Sequence, residues 1–275
     1  MRKLLSAGWI RLGKSRIFRL LCGFMFLMGL YYPITLNMQA KKYGFTAAID
    51  SPFFSHIMFM GVLTAVFISL FIGTEYSDGT IRNKLVIGHS RTAIYFSNLA
   101  VCACAVFLIA VCYMLPCACA GILLLGFFSM ETGQVVSLIA CTLIIDLAYT
   151  ALFTLAAMLI HNKASLATVA ILTAFLMLFA SSYLYAQLSQ PQMTTEFTET
   201  EDGQFVQSDP VPNEFYVTGT KREIYTFLME FMPSGQSMMM MSGELPLARV
   251  FLYDGVIIVL CTGAGIFGFS RKDIK

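Results

Sequence analysis

Four groups of residues have types and spacings that could do chemistry. The stretch GWIRLGKS, residues 8–15, fits G-x-x-x-x-G-K-[ST] with Gly8, Gly13, Lys14 and Ser15 in place. In a phosphate-binding loop that pattern turns backbone N–H groups and a lysine toward a nucleotide. Asp146 (LIIDLAYT) and Asp254 (FLYDGVII) are carboxyls set inside apolar runs. A charge at the centre of a bilayer costs about 2.5–3.5 kcal/mol on insertion scales, so each must face protein or water, or be protonated. Eight cysteines include two C-x-C pairs, Cys102/Cys104 and Cys117/Cys119, and four consecutive methionines occupy 238–241.

The surroundings decide among these. A phosphate-binding loop needs a strand before it and a helix after it inside an α/β domain. Only seven residues, MRKLLSA, precede Gly8, and a long apolar run follows Ser15. Leu5, Trp9 and Leu12 instead form an apolar stripe at helical spacing, with Arg2, Lys3, Arg11 and Lys14 available to anionic lipid headgroups. That describes an interfacial helix and not a nucleotide site; no cleaved signal peptide is expected either. Residues at i, i+2 point to different sides of a helix, so the cysteine pairs are expected to be small apolar filler. Thioethers bind copper, but four successive methionines cannot share one helical face, and an adaptable apolar surface is the commoner use. No cofactor and no metal site are expected. For Asp146 and Asp254, a pathway or gating contact stands beside a structural hydrogen bond from Tyr149, Thr150 or a neighbouring helix. His161, in an HNK turn, reads as solvated.

The elements that must position these residues follow from composition. Of 275 residues, 57% are hydrophobic and 12% charged, where a soluble domain carries roughly 25% charged residues. Mean hydropathy is +0.74. An apolar run of about 20 residues spans a bilayer as a helix, and six are legible: about 17–36, 55–72, one beginning near 94, 135–160, 164–184 and 250–269. The third is ambiguous, because no charge occurs from Thr92 to Met130 and Pro116 interrupts the run. Topology arbitrates. Both ends are basic, and basic segments stay in the cytoplasm, so the number of spans is even. The third run is therefore one long, kinked span whose far end, CACAGILLLGFF, reaches the outer surface.

The loops agree with that orientation. Inner segments hold 13 of the 18 Lys and Arg. The segment 186–247 holds nine acids: Glu196, Glu199, Glu201, Asp202, Asp209, Glu214, Glu223, Glu230 and Glu244. Only Lys221 and Arg222 oppose them. The segment is expected outside, with a polar loop over 190–214. Over 221–241, Ile224, Phe227, Leu228 and Phe231 form one helical face suited to an interface, and Pro233 and Gly235 turn the chain.

Between the second and third spans lies TEYSDGTIRNKLVIGHSR, residues 74–91. Thr80 is positioned to cap a helix running to Ile87, Gly88 suits the residue after its end, and Ser90 or Thr92 suits the cap of the next helix. Gly79 permits a sharp bend after Asp78. A short helix joined rigidly to two spans passes force from a soluble partner into the membrane. The same residues also fit a solvated turn whose Arg and Lys only fix topology, and the residues alone leave both readings open.

EYSDGTIRNKLVIGHSR resembles the inner loop of type-2 ABC exporter permeases, in which an acidic residue precedes a Gly-Thr pair and a basic helix follows. FMPSGQ at 231–236 and GFSRKDIK at 268–275 resemble the same family's outer motif and chain end, and the six-span layout also matches. The resemblance implies an all-α membrane protein, a single permease domain over 1–275. Within it, 1–16 is an amphipathic inner-surface helix, 74–91 a cytoplasmic coupling segment and 186–247 an extracytoplasmic loop. It implies a cell-membrane transport subunit with no ATPase site of its own. Such a subunit works with a separate P-loop ATPase that binds the ATP, and with a second permease, alike or different, in the bilayer. Glu75, Gly79, Thr80, Arg82, Asn83 and Lys84 would mark the coupling site. The alternative is a stand-alone channel or an accessory or immunity membrane protein without an ATPase. No nucleic-acid partner is expected, and the apolar spans suggest a hydrophobic or amphipathic cargo.

Overall fold

The structure is a computed structural model describing residues 1–195, 197–199, 205–207, 209–243 and 245–272. Helix α1 (Arg2–Lys14) is separated from α2 (Arg16–Tyr43) by the single extended residue Ser15, whose side chain accepts a hydrogen bond from the Phe18 amide at 3.3 Å. A short α3 (Asp50–Phe54) runs into α4 (Ile57–Ser77), then come α5 (Thr80–Val86), α6 (Arg91–Leu125), α7 (Thr132–Leu159) and α8 (Lys163–Leu188). Two small antiparallel ribbons follow: β1 (Met193–Thr194) with β4 (Val211–Pro212), and β2 (Phe197–Glu199) with β3 (Phe205–Gln207). Helices α9 (Gly219–Phe231), α10 (Pro233–Ser242) and α11 (Leu247–Arg271) complete the order.

Six helical segments are long and apolar enough to cross a membrane: Arg16–Tyr43, Asp50–Ser77, Arg91–Leu125, Thr132–Leu159, Lys163–Leu188 and Leu247–Arg271. The ambiguous third run is one helix of 35 residues with Pro116 inside it. At 1.5 Å per residue it is about 50 Å long, well beyond a hydrocarbon core of about 30 Å. Helix α4 is the most buried of the six. It packs on α7 and α8, while α6 joins α2 to α7 and α11 lies along α7. Glycines set the closest approaches. A Cβ on Gly29 of α2 would stand 2.4 Å from the Tyr113 carbonyl oxygen of α6, and one on Gly265 of α11 would stand 2.3 Å from the Tyr95 hydroxyl. Small residues let apolar helices pack in this way where no solvent drives them together.

Two details differ from the sequence expectation. In α1 the buried stripe is Leu4, Gly8 and Leu12, not Leu5, Trp9 and Leu12; Trp9 is 45% exposed. The reason is proximity: Gly8 lies against Val101 of α6, where a Cβ would come within 2.7 Å of the valine methyl, so the protein-facing side is chosen by the missing side chain. And 221–241 is two helices. The first carries the exposed apolar face, Ile224, Phe227 and Leu228, while Phe231 is half-buried. The second, α10, is buried from Pro233 to Ser237. It enters the bundle to meet α8, where Ser234 lies 2.6 Å from the Ser181 hydroxyl and donates to the Met177 carbonyl at 3.0 Å. Of the acids expected outside, Glu196, Glu201, Asp202 and Glu244 lie outside the described residues, as do Asp273, Ile274 and Lys275 of the chain end.

Candidate functional site

The 74–91 segment is built as a bend, a seven-residue helix of about two turns and a second bend. Gly79 takes the left-handed conformation at φ 66° and precedes α5 as its cap residue, so Thr80 is the first helical residue and does not cap with its side chain. Gly88, at φ 97°, ends the turn after Ile87. Ser90 caps α6, accepting from the Ala93 amide at 3.3 Å. The outward side of α5 is Arg82, Asn83, Val86 and Ile87, all exposed, the last two at 79% and 76%. Two bare aliphatic side chains next to Arg82 make a surface suited to a partner's cleft.

The inward side of the segment converges on one carboxylate. Glu75, in the last turn of α4, is 2% exposed. It is ion-paired with Arg11 of α1 and with Lys84 of α5, and accepts a hydrogen bond from the Asn98 side-chain amide of α6 at 2.8 Å. Four helices are therefore tied at a single side chain. Arg11 also lies over the Phe71 ring at 3.7 Å, a cation–π contact. Burial pushes Arg11 down to about 10. Burial first, and the Arg11 charge second, push Lys84 down to about 8. Both values lie above neutral pH, so there both are cations, paired with the Glu75 carboxylate.

The structure thus brings together Glu75 and Lys84 of the residues singled out from sequence, with Gly79 and Thr80 forming the hinge and Arg82 and Asn83 turned away from it. Arg11 and Asn98 were not singled out. Arg11 sits inside the GWIRLGKS stretch, which is helical from Gly8 to Lys14 and packed against α6. A helical Gly8 buried under a valine methyl has no backbone amide free to cradle a phosphate.

Asp146 and Asp254 occupy a different place. Asp254 of α11 faces Cys141 of α7, and Asp146 borders a hollow between α6 and α7; they are 0% and 4% exposed, and among the described residues the one hydrogen-bonding group beside either carboxyl on a neighbouring helix is Gln236, next to Asp254. Thr150 does bond to Asp146, but to its backbone carbonyl, at 2.7 Å. The Tyr149 side chain lies within electrostatic reach of both carboxyls and against Ser234 and Ser237 of α10, and Gln236 lies beside Asp254. Among the described residues no ion pair or hydrogen bond joins either carboxyl to Glu75, although the Tyr149 ring packs on Gly61 of α4, the helix that carries Glu75.

The family described as ABC-2 family transporter protein matches residues 4–181. The match runs from α1 well into α8, and so contains every residue of the Glu75 network as well as Asp146. No curated protein matches the chain.

Proposed function

We propose, because this chain belongs to the ABC-2 transporter family, that it is the membrane-spanning subunit of an ATP-binding cassette exporter. It sits in the cytoplasmic membrane with its basic end inside. A separate P-loop ATPase docks on α5, and a second permease, alike or different, completes the pathway. The observation that carries this reading is the attachment of three other helices to Glu75. A partner that grips Arg82, Asn83, Val86 and Ile87 moves α5, and Lys84 and Glu75 pass that movement to α4, Asn98 to α6 and Arg11 to α1. Gly79 and Gly88 let α5 turn as one piece. A solvated turn has no use for a buried carboxylate holding three other helices, and that attachment favours coupling.

The cargo on this reading is hydrophobic or amphipathic. A cleft of about 790 Å³ opens between α2, α4, α8 and α10, walled by Phe24, Phe59, Val62, Phe175, Met238 and Met241, with Tyr32, Ser55 and Tyr185 supplying its polar groups. Pockets of this size and lining hold drug-sized apolar molecules with a few orienting hydrogen bonds. Asp146 and Asp254, both within electrostatic reach of Tyr149, serve the reading as gating groups.

Purification of the tagged chain from native membranes in mild detergent tests the proposal. A P-loop ATPase should accompany it in stoichiometric amount and be lost from Arg82→Glu and Val86→Asp, which leave the Glu75 network intact. A folded preparation with no ATPase would instead mean a stand-alone channel or an accessory or immunity protein.

A further inference from the structure

At the same end of the bundle as Glu75, but on another side, three nitrogen bases border one turn: His161 and Lys163 wall one hollow, and Lys272 lies within electrostatic reach of His161. Lys163 begins α8, His161 precedes it in the turn from α7, and Lys272 follows α11. Each is held. Gly73 of α4 admits the Lys163 stem, whose Cγ would stand 3.0 Å from a Cβ there. The Tyr76 ring meets His161 edge to face at 5.3 Å and lies 4.8 Å beneath the Lys272 ammonium. Lys272 donates to the Met158 carbonyl at 2.8 Å, and its own carbonyl, with that of Phe269, accepts from Arg91. The Asn162 side chain accepts from the amides of Ala164 and Ser165, capping α8. Among the described residues no carboxylate is ion-paired with any of the three; Asp273 lies outside them.

Two hollows begin at this turn. One, about 520 Å³, is walled by Leu70, Tyr76, His161, Asn162, Lys163 and Ala167, a lining part polar and mostly apolar. The other, about 330 Å³, is an apolar cleft between α7 and α8 that starts at Ile160 and runs past Phe153 and Val169. A cationic basket at a membrane-helix end, beside a groove lined only by hydrocarbon and a threonine, matches a molecule with an anionic head and an acyl tail. Basic pockets between spanning helices bind anionic lipid headgroups in this way.

We propose that the 160–163 turn, with Tyr76 and Lys272, is a binding site for an anionic glycerophospholipid, its phosphate among Lys163, His161 and Lys272 and one chain in the α7–α8 cleft. The site does not depend on the ATPase reading and stands or falls separately from it. Burial pushes Lys272 down to about 8, so above that pH the basket loses a charge and the lipid is held less well. Burial, with the Lys272 charge second, lowers His161; its charge therefore appears only on acidification below the usual histidine range, and retention rises there. A bound phosphate pulls both values back up.

The test is native mass spectrometry of the full chain recovered from phosphatidylcholine vesicles containing phosphatidylglycerol. Wild type should keep phosphatidylglycerol over phosphatidylcholine, and Lys163→Gln with Lys272→Gln should lower that retention by on the order of tenfold. Lys163→Arg with Lys272→Arg should restore it, and Lys41→Gln with Lys42→Gln, at the other end of the molecule, should leave it unchanged. His161→Gln should remove the rise at acid pH. Equal retention by the glutamine variant, no preference between the two lipids, or displacement by inorganic phosphate alone would overturn the site. If the glutamine variant does not fold, the wild type decides: excess phosphatidylglycerol must exchange with the bound lipid, and excess phosphatidylcholine must not.

Discussion

Glu75, itself 2% exposed, faces two cations and an amide. Removing one partner of a buried ion pair leaves the other uncompensated, at about 3–5 kcal/mol. Glu75→Ala is therefore expected to lower the melting temperature strongly, and Glu75→Gln less, because the carboxamide keeps the hydrogen bond to Asn98. Arg11→Ala and Glu75→Ala should be strongly non-additive, since both break one network. A double-mutant cycle on melting, and on transport with the ATPase present, checks this; simple additivity would sink the network as the coupling element. The pH dependence has a definite sign. With Lys84 near 8 and Arg11 near 10, raising the pH past 8 discharges Lys84 first and frees α5 from Glu75 while Arg11 still holds α1. Coupled transport should fall with an apparent pKa near 8, and Lys84→Arg should move that fall upward. The resemblance of the 75–91 loop to an inner loop of type-2 exporter permeases singled out Glu75, Gly79 and Lys84, which one short motif spans. Arg11 and Asn98 come from 64 residues before and 23 after Glu75, and no local pattern joins them to it.

At the scale of elements, the spans were legible because a bilayer dictates their length and polarity, and Ser90 and Gly88 were legible because helix ends need particular residues. Element contacts were not. Gly29 and Gly23 both lie in α2 and look equivalent in sequence, yet a Cβ at Gly29 meets backbone at 2.4 Å and one at Gly23 meets nothing within 4 Å. Gly29→Ala should destabilise by about 1–3 kcal/mol through overpacking against α6, while Gly23→Ala should be neutral or slightly stabilising. Thermal unfolding in detergent distinguishes the two; equal effects would mean that α2 does not approach α6 at Tyr113. Helix α10 was missed for a related reason. PSGQSMMMM carries no long apolar run, so nothing in its hydropathy marks it as interior. Its burial comes from small and hydroxyl side chains bonding inward, Ser234 to Ser181 and Met177, and Gln236 to the Glu230 carbonyl at 2.8 Å.

At the scale of the whole molecule, the two ends of the bundle differ in charge and in covering. One end carries α1, α5, the 160–163 turn and the close of α11, where most of the Lys and Arg collect. The other carries the ribbons and the amphipathic face of α9. The positive-inside rule assigns the first end to the cytoplasm, and single cysteines placed on a cysteine-free background read that assignment directly. Val86 and Phe215 are suitable positions, 79% and 73% exposed and at opposite ends. A membrane-impermeant thiol reagent added to intact cells should label Phe215→Cys and spare Val86→Cys, which should react only after permeabilisation. Co-expression of the ATPase should then shield Val86→Cys and leave Phe215→Cys unchanged, because only the first lies on the surface that α5 presents to a partner. Labelling of Val86→Cys in intact cells would invert the molecule and put α5 on the wrong side for any ATP-driven partner. Correct sidedness without shielding would keep the topology and remove the partner, and the Glu75 network would then be a structural clamp on four helices.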